Sequence, residues 1–142
     1  MDYRLELVLI PVTDADEAKS FYLDRMGCSL IVDGDIGGGK RIVQVLPPGS
    51  PCAVGFGVGV TDAPAGSAQG LHLVVTDIEA ARDELAGRGV EVGPVRWYDH
   101  GEWVDGVHPE HADYMSFAEF ADPDGNLWLL QERGFQGTMA AA

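Results

Sequence analysis

The sequence predicts an α+β fold made of two βαβββ modules in one domain over residues 1–133. Three observations predict it. The segment LVLIPVTDADEAKSFYLDRMG at 7–27 resembles GLHLVVTDIEAARDELAGRG at 70–89, so that Val12-Thr13-Asp14 matches Val75-Thr76-Asp77. Each copy reads as an apolar strand, a Thr-Asp pair where a helix cap belongs, a helical stripe and a terminating Gly. Three short runs with strand character then follow each helix, separated by turn-rich segments.

In chain order, the first strand is the apolar run that begins at Leu7. The first helix starts near Asp14, whose carboxylate can take up an orphan amide of the first turn and suits the positive end of the helix. Ala18, Phe21, Tyr22 and Met26 form its apolar stripe, and Gly27 ends it as a left-handed residue. Strands are expected at CSLIVD (28–33), KRIVQVL (40–46) and AVGFGVG (53–59). GDIGGGK between the first two lacks the spacing of a phosphate loop and a helix after it, and reads as a hairpin turn.

Module one therefore covers 4–59, and a small, turn-rich linker covers 60–69. Module two covers 70–133. Its helix starts near Asp77, carries Ile78, Ala81, Leu85 and Ala86 on one stripe, and ends at Gly89. Its strands are expected at VEVGPVRWY (90–98), MSFAEFA (115–121) and NLWLLQE (126–132), and the tail 134–142 is expected to fray.

Composition bounds the function. Apolar residues at 46% and charged residues at 23% are ordinary globular values. A net charge of -14 repels phosphate backbones and anionic headgroups, so neither nucleic acid nor a membrane is an expected partner. No apolar run approaches the ~18 residues that span a bilayer. Cys28 and Cys52 are isolated and read as inert thiols of a reduced, cytoplasmic protein.

The paired modules, Phe21-Tyr22 in the first helix and the turn Asp122-Pro123-Asp124-Gly125-Asn126 before the last strand together resemble the vicinal oxygen chelate superfamily, the glyoxalase/bleomycin resistance/dioxygenase proteins. The resemblance covers residues 4–133. It implies two modules whose sheets curl around a shared cleft, usually in a homodimer. It implies less about function, because the superfamily holds metal-dependent enzymes as well as metal-free proteins that bind and sequester antibiotics.

In its metal-dependent members a ligand, usually His, stands seven residues before each helix-capping Asp, and another, usually Glu, seven after the first Asp of the turn. Those positions here are Leu7, Gly70 and Leu129, and the last strand of module one, AVGFGVG, has no donor side chain. A divalent metal needs several O or N donors in one geometry. No metal or other cofactor is therefore expected. Glu132 does not replace Leu129, because strand alternation turns it to the opposite face.

His72 lies two residues beyond Gly70, on the same face, and is matched by Leu9 in the repeat; Gln131 is displaced from Leu129 by the same step. The segment DHGEWVDGVHPEHADY at 99–114 is long for a connection and carries Trp103, Tyr114, His100, His108 and His111, with Trp97 and Tyr98 just before it. It reads as an irregular lid or pocket wall whose aromatic groups suit a flat organic ligand or a cation.

The leading expectation is a metal-independent protein that binds a small organic molecule, an aromatic or cationic natural product. Its candidate contacts are Leu7, Leu9, His72, Trp97, Trp103, Leu129 and Gln131. The competing expectation is an enzyme, with a displaced metal or with His72 as general base. A third is an interaction module whose cleft is filled.

Overall fold

The computed structural model describes residues 1–137; the remainder of the tail expected to fray lies outside the described residues. The chain divides into two compact units. The first comprises residues 1–69 together with 122–126, and the second comprises 70–121 and the chain from 127.

The first unit contains β1 (Leu7–Leu9), α1 (Ala15–Ser20), β2 (Ser29–Gly37), β3 (Lys40–Leu46) and β4 (Ala53–Val58). Its sheet has the order β1-β4-β3-β2, with β1 parallel to β4 and the other pairs antiparallel. Asp14 caps α1 as the sequence predicts, its Oδ1 accepting the N–H groups of Asp16 and Glu17. The helix then widens into a π-helical turn over Phe21–Arg25. Ala18, Phe21, Tyr22 and Met26 are all buried, and with Val43, Val45 and Phe56 they form the core of this unit. Gly27 stops the helix at φ 82°.

Residues 122–126 bind the first unit through a closed polar network. The buried Asp122 accepts the Tyr22 hydroxyl at 2.7 Å and Asn126 Nδ2 at 2.8 Å through Oδ2, and the N–H groups of Asp124 and Asn126 through Oδ1. Asn126 also donates to the Pro11 carbonyl and accepts from Ala68 N–H, while Asp124 accepts from Thr13. Every partner a buried Asn and Asp need is thus supplied locally, which removes the cost of burying them. Tyr22 owes its place to this network as much as to its ring.

On the outer side of α1, Asp33 receives Arg41 Nε and Nη2 at 2.9 Å each and Lys19 Nζ at 2.7 Å. These bonds, Arg41 first and Lys19 second, hold its carboxyl well below the usual carboxylate range. Cys28 is buried, and desolvation pushes its thiol up to about 12.

The second unit contains β5 (Leu71–Val75), α2 (Ile78–Gly87), β6 (Arg96–Asp99), β7 (Glu102–Asp105), β8 (Ser116–Ala121) and β9 (Leu127–Glu132). The sheet order is β5-β9-β8-β6-β7. Asp77 caps α2 through the N–H of Ala80. Ile78 and Leu85 are buried, Ala81 is half-buried, and Ala86 is exposed rather than part of the apolar stripe.

Two expectations need correction. The strand expected over 90–98 is interrupted. Val92 makes an isolated bridge to Phe120, and pairing resumes at Arg96 after Pro94, which has no N–H for a ladder. The segment 99–114 is not irregular throughout. Its first part folds β7 back on β6 across a two-residue turn, His100-Gly101, with both residues at positive φ.

Candidate functional site

The site is built on the second unit's sheet, whose two faces differ sharply. On the face packed against α2, Ala118, Phe120, Trp128, Leu130 and Glu132 are buried. Strand alternation sends their neighbours to the other face. There the register aligns His72 with Leu129, Leu129 with Glu119, Gln131 with Phe117, Phe117 with Arg96, and Tyr98 with Trp103.

The distal strands of that face carry an aromatic array around one cation. The Trp103 ring lies 5.2 Å from Tyr98 and 5.7 Å from Phe117, both edge-on. The Arg96 guanidinium lies over the Trp103 ring at 4.3 Å and donates through Nη2 to Glu119 at 3.1 Å. Its charge is therefore balanced by one carboxylate and one π-face. Trp103 is 49% exposed and Tyr98 45% exposed. A hollow of about 250 Å³ adjoins the array and is lined by Gly93, Pro94, Arg96 and Glu119.

The residues singled out in the sequence fall into three places. His72, Leu129, Gln131 and Trp103 share this face, with Trp103 on the far strand from His72. Trp97 is on the opposite face, where its ring meets His108 at 4.9 Å. Leu7 and Leu9 belong to the first unit, packed over Gly55, at which a Cβ would come within 3.1 Å of Leu7 and 3.2 Å of Leu9.

His72 is exposed, and its Nδ1 lies 2.8 Å from the Gly70 carbonyl. A carbonyl only accepts, so Nδ1 is the donor in this contact, and in the neutral ring the lone pair is then on Nε2. Gln131 donates to the Tyr114 carbonyl and is not paired with His72.

The family model described as Glyoxalase/Bleomycin resistance protein/Dioxygenase superfamily matches residues 4–130. The chain belongs to that superfamily. Solved structures agree with the assignment. TnmS3, an antibiotic binding protein from Streptomyces sp. CB03234, is 30% identical with a TM-score of 0.71, over 92% of this chain and 96% of that one. A second glyoxalase/bleomycin resistance protein from Streptomyces sp. CB03234 is also 30% identical, with a TM-score of 0.69 over 91% of this chain and 100% of that one. A superfamily member from Sphaerobacter thermophilus DSM 20745 is 26% identical with a TM-score of 0.73, over 93% and 98%. Among curated proteins none matches significantly.

The superfamily's metal-dependent members raise the question of a metal, and the residues present do not fit one. Leu7 and Leu129 carry hydrocarbon at two ligand positions, and Gly70, at φ 77°, has no side chain at the third. The histidines of 99–114 do not converge. His100 is at the hairpin turn beside Asp99, His108 accepts the N–H groups of Glu110 and Ala112, and His111 pairs with Glu132 at 2.7 Å. Among the described residues no three His, Cys, Asp or Glu side chains are grouped to hold a metal ion.

Glu132 has another role. Wholly buried, it accepts Ile78 N–H at the start of α2 through Oε2 and His111 Nδ1 through Oε1. His111 is stacked at 3.6 Å on Phe135, and Gly134 N–H donates to Asp113. One carboxylate thus ties the helix start to the 108–114 segment.

Sequence reasoning missed Arg96, Phe117 and Glu119 as members of the array. The period of two along β6 and β8 carries the signal, but using it requires the cross-strand register, because 96 and 117 are far apart in the chain.

Proposed function

We propose that this protein binds a flat aromatic organic molecule, one per chain, without a metal, on the face formed by Tyr98, Trp103, Phe117, Arg96 and Glu119. The observation that carries the reading is the half-exposed Trp103 ring held between edge-on aromatic neighbours and a guanidinium. Such a surface offers rigid apolar area with little rotamer freedom to lose. Leu129 extends it with hydrocarbon, and Gln131 and His72 supply polar contacts at its other end. Arg96 and Glu119 favour a ligand whose aromatic rings carry carbonyl or hydroxyl oxygens. TnmS3 is an antibiotic binding protein, which supports a natural product as the ligand class and sequestration as the role.

A second reading has one observation in its favour. The Nδ1 of His72 faces the Gly70 carbonyl at 2.8 Å, which leaves Nε2 as the ring nitrogen directed away from that contact and open to a substrate proton. Replacing His72 by Ala separates the two readings: ligand affinity weakens modestly under sequestration, whereas turnover disappears under catalysis. The direct test of binding is quenching of Trp fluorescence by polycyclic aromatic compounds, with Trp103→Phe identifying the responding ring.

A further inference from the structure

The aromatic face carries a second guanidinium, at the end away from Trp103. Side chains alternate along β9, so with Glu132 buried on the α2 side, Arg133 continues the line of Leu129 and Gln131. Its N–H donates to the Val75 carbonyl at 2.9 Å, which keeps its backbone in the sheet. Its guanidinium lies over the Tyr114 ring at 5.7 Å. Tyr114 adopts φ 66°, a left-handed conformation that a tyrosine seldom takes. It is held there by its N–H on the Glu132 carbonyl at 2.7 Å and by Gln131 Nε2 on its own carbonyl at 3.0 Å. A strained residue so held beside a binding face points to use of what it positions.

The two guanidiniums differ in their charge balance. Arg96 is matched by Glu119, whereas Arg133 makes no ion pair among the described residues. The acids closest to it are committed elsewhere. Glu132 is buried on the opposite face with Ile78 N–H and His111, and Asp113 accepts Gly134 N–H at 2.8 Å. A chain with 23 acidic residues against nine basic ones has carboxylates to spare, yet it places none on this guanidinium. Its net charge of -14 also means that an anion is held here by local contact and is not drawn in by the overall field.

The register sets the spacing. Gln131 aligns with Phe117 and Phe117 with Arg96, so one step of two along each strand brings Arg133, Met115 and Tyr98 into line, with Trp103 beyond Tyr98. Arg133 and Tyr98 are therefore two strand spacings apart, ~10 Å. A fused tricyclic ring that bears a carboxyl group spans such a gap.

We infer that the ligand is an aromatic carboxylic acid whose rings lie on Tyr98 and Trp103 and whose carboxylate is received by Arg133. The inference rests on the aromatic-binding reading and names the ligand's chemistry within it. A guanidinium presents paired N–H donors that match the two oxygens of a carboxylate, and the Tyr114 ring beneath it orients that fork. The ligand thus supplies the counter-charge that the chain does not.

The test compares a xanthone carboxylate with its neutral primary amide by titration calorimetry, since the two probes share ring area and shape and differ in charge. Wild type should bind the acid about fivefold or more tighter than the amide. Arg133→Gln should bring that ratio near one by weakening the acid alone, and Arg133→Lys should keep part of the preference. Trp103→Ala should weaken both probes and leave the ratio in place. Arg133 is exposed, so its variants should keep the wild-type thermal midpoint. Equal binding of acid and amide to wild type, or a preference that survives Arg133→Gln, would overturn this inference and leave the aromatic reading standing. Failure of both probes to bind would overturn the two together.

Discussion

The guanidinium of Arg96 lies 4.3 Å over the ring of Trp103 while its Nη2 holds Glu119 at 3.1 Å. Trp103 is thereby oriented without being buried, since half of it stays exposed. Trp103→Ala should weaken binding of a planar aromatic ligand about tenfold or more, the scale of one lost aromatic contact and its cation-π support. Because the ring is half-exposed and on an edge strand, its thermal midpoint should change little. Titration calorimetry beside a melting curve checks both halves of the expectation.

Glu132 should behave as a structural carboxylate. Glu132→Ala leaves Ile78 N–H and the His111 imidazole without their buried partner, and should cost about 3 kcal/mol of stability. Glu132→Gln keeps an acceptor for Ile78 and should cost less. Urea unfolding of the two variants gives the comparison, and metal content should be unchanged in both.

The ion pairs of Asp33 predict a pH dependence with a definite sign. Its carboxyl is depressed in the folded chain by Arg41 and Lys19, so its stabilising contribution is present above the unfolded value of about 4. It is lost as pH falls through the folded value. Asp33→Asn should therefore melt below wild type at pH 7, and the gap should narrow steadily as pH falls below about 4. A gap that widens in acid would contradict the assignment.

Much of this fold was legible before the structure, and for local reasons. Asp14 and Asp77 cap their helices where the Thr-Asp repeats place them, and β3 occupies 40–46 as its alternation indicates. The β6–β7 hairpin was not legible. Its turn uses His100 at φ 50° where Asn or Asp usually announces such a turn, and its strands are four residues each. The candidate site was legible in type but not in membership. Trp103 stands on the array, whereas Trp97, six positions earlier, is turned to the opposite face by alternation. Arg96 and Glu119 read as surface charges until the register of β6 on β8 brings them together. Glu132 was correctly turned away from Leu129, but a strand pattern alone says nothing of the helix start and the His111 loop that meet it.

Thiol reactivity offers an independent check on the first unit's core. Cys28 is buried and its thiol is pushed up to about 12, so the nucleophilic thiolate is nearly absent at neutral pH. An aromatic disulfide reagent at pH 8 should label Cys52, which is half-buried, and reach Cys28 only on unfolding.

The most direct measurement is a Trp fluorescence titration of chelator-treated protein with oxygen-bearing polycyclic aromatic compounds, followed by recovery of the compound. The account predicts saturable binding near one ligand per chain, weakened by Trp103→Ala, with the compound recovered unchanged. Binding that requires added metal, that is indifferent to Trp103, or that converts the compound would contradict it.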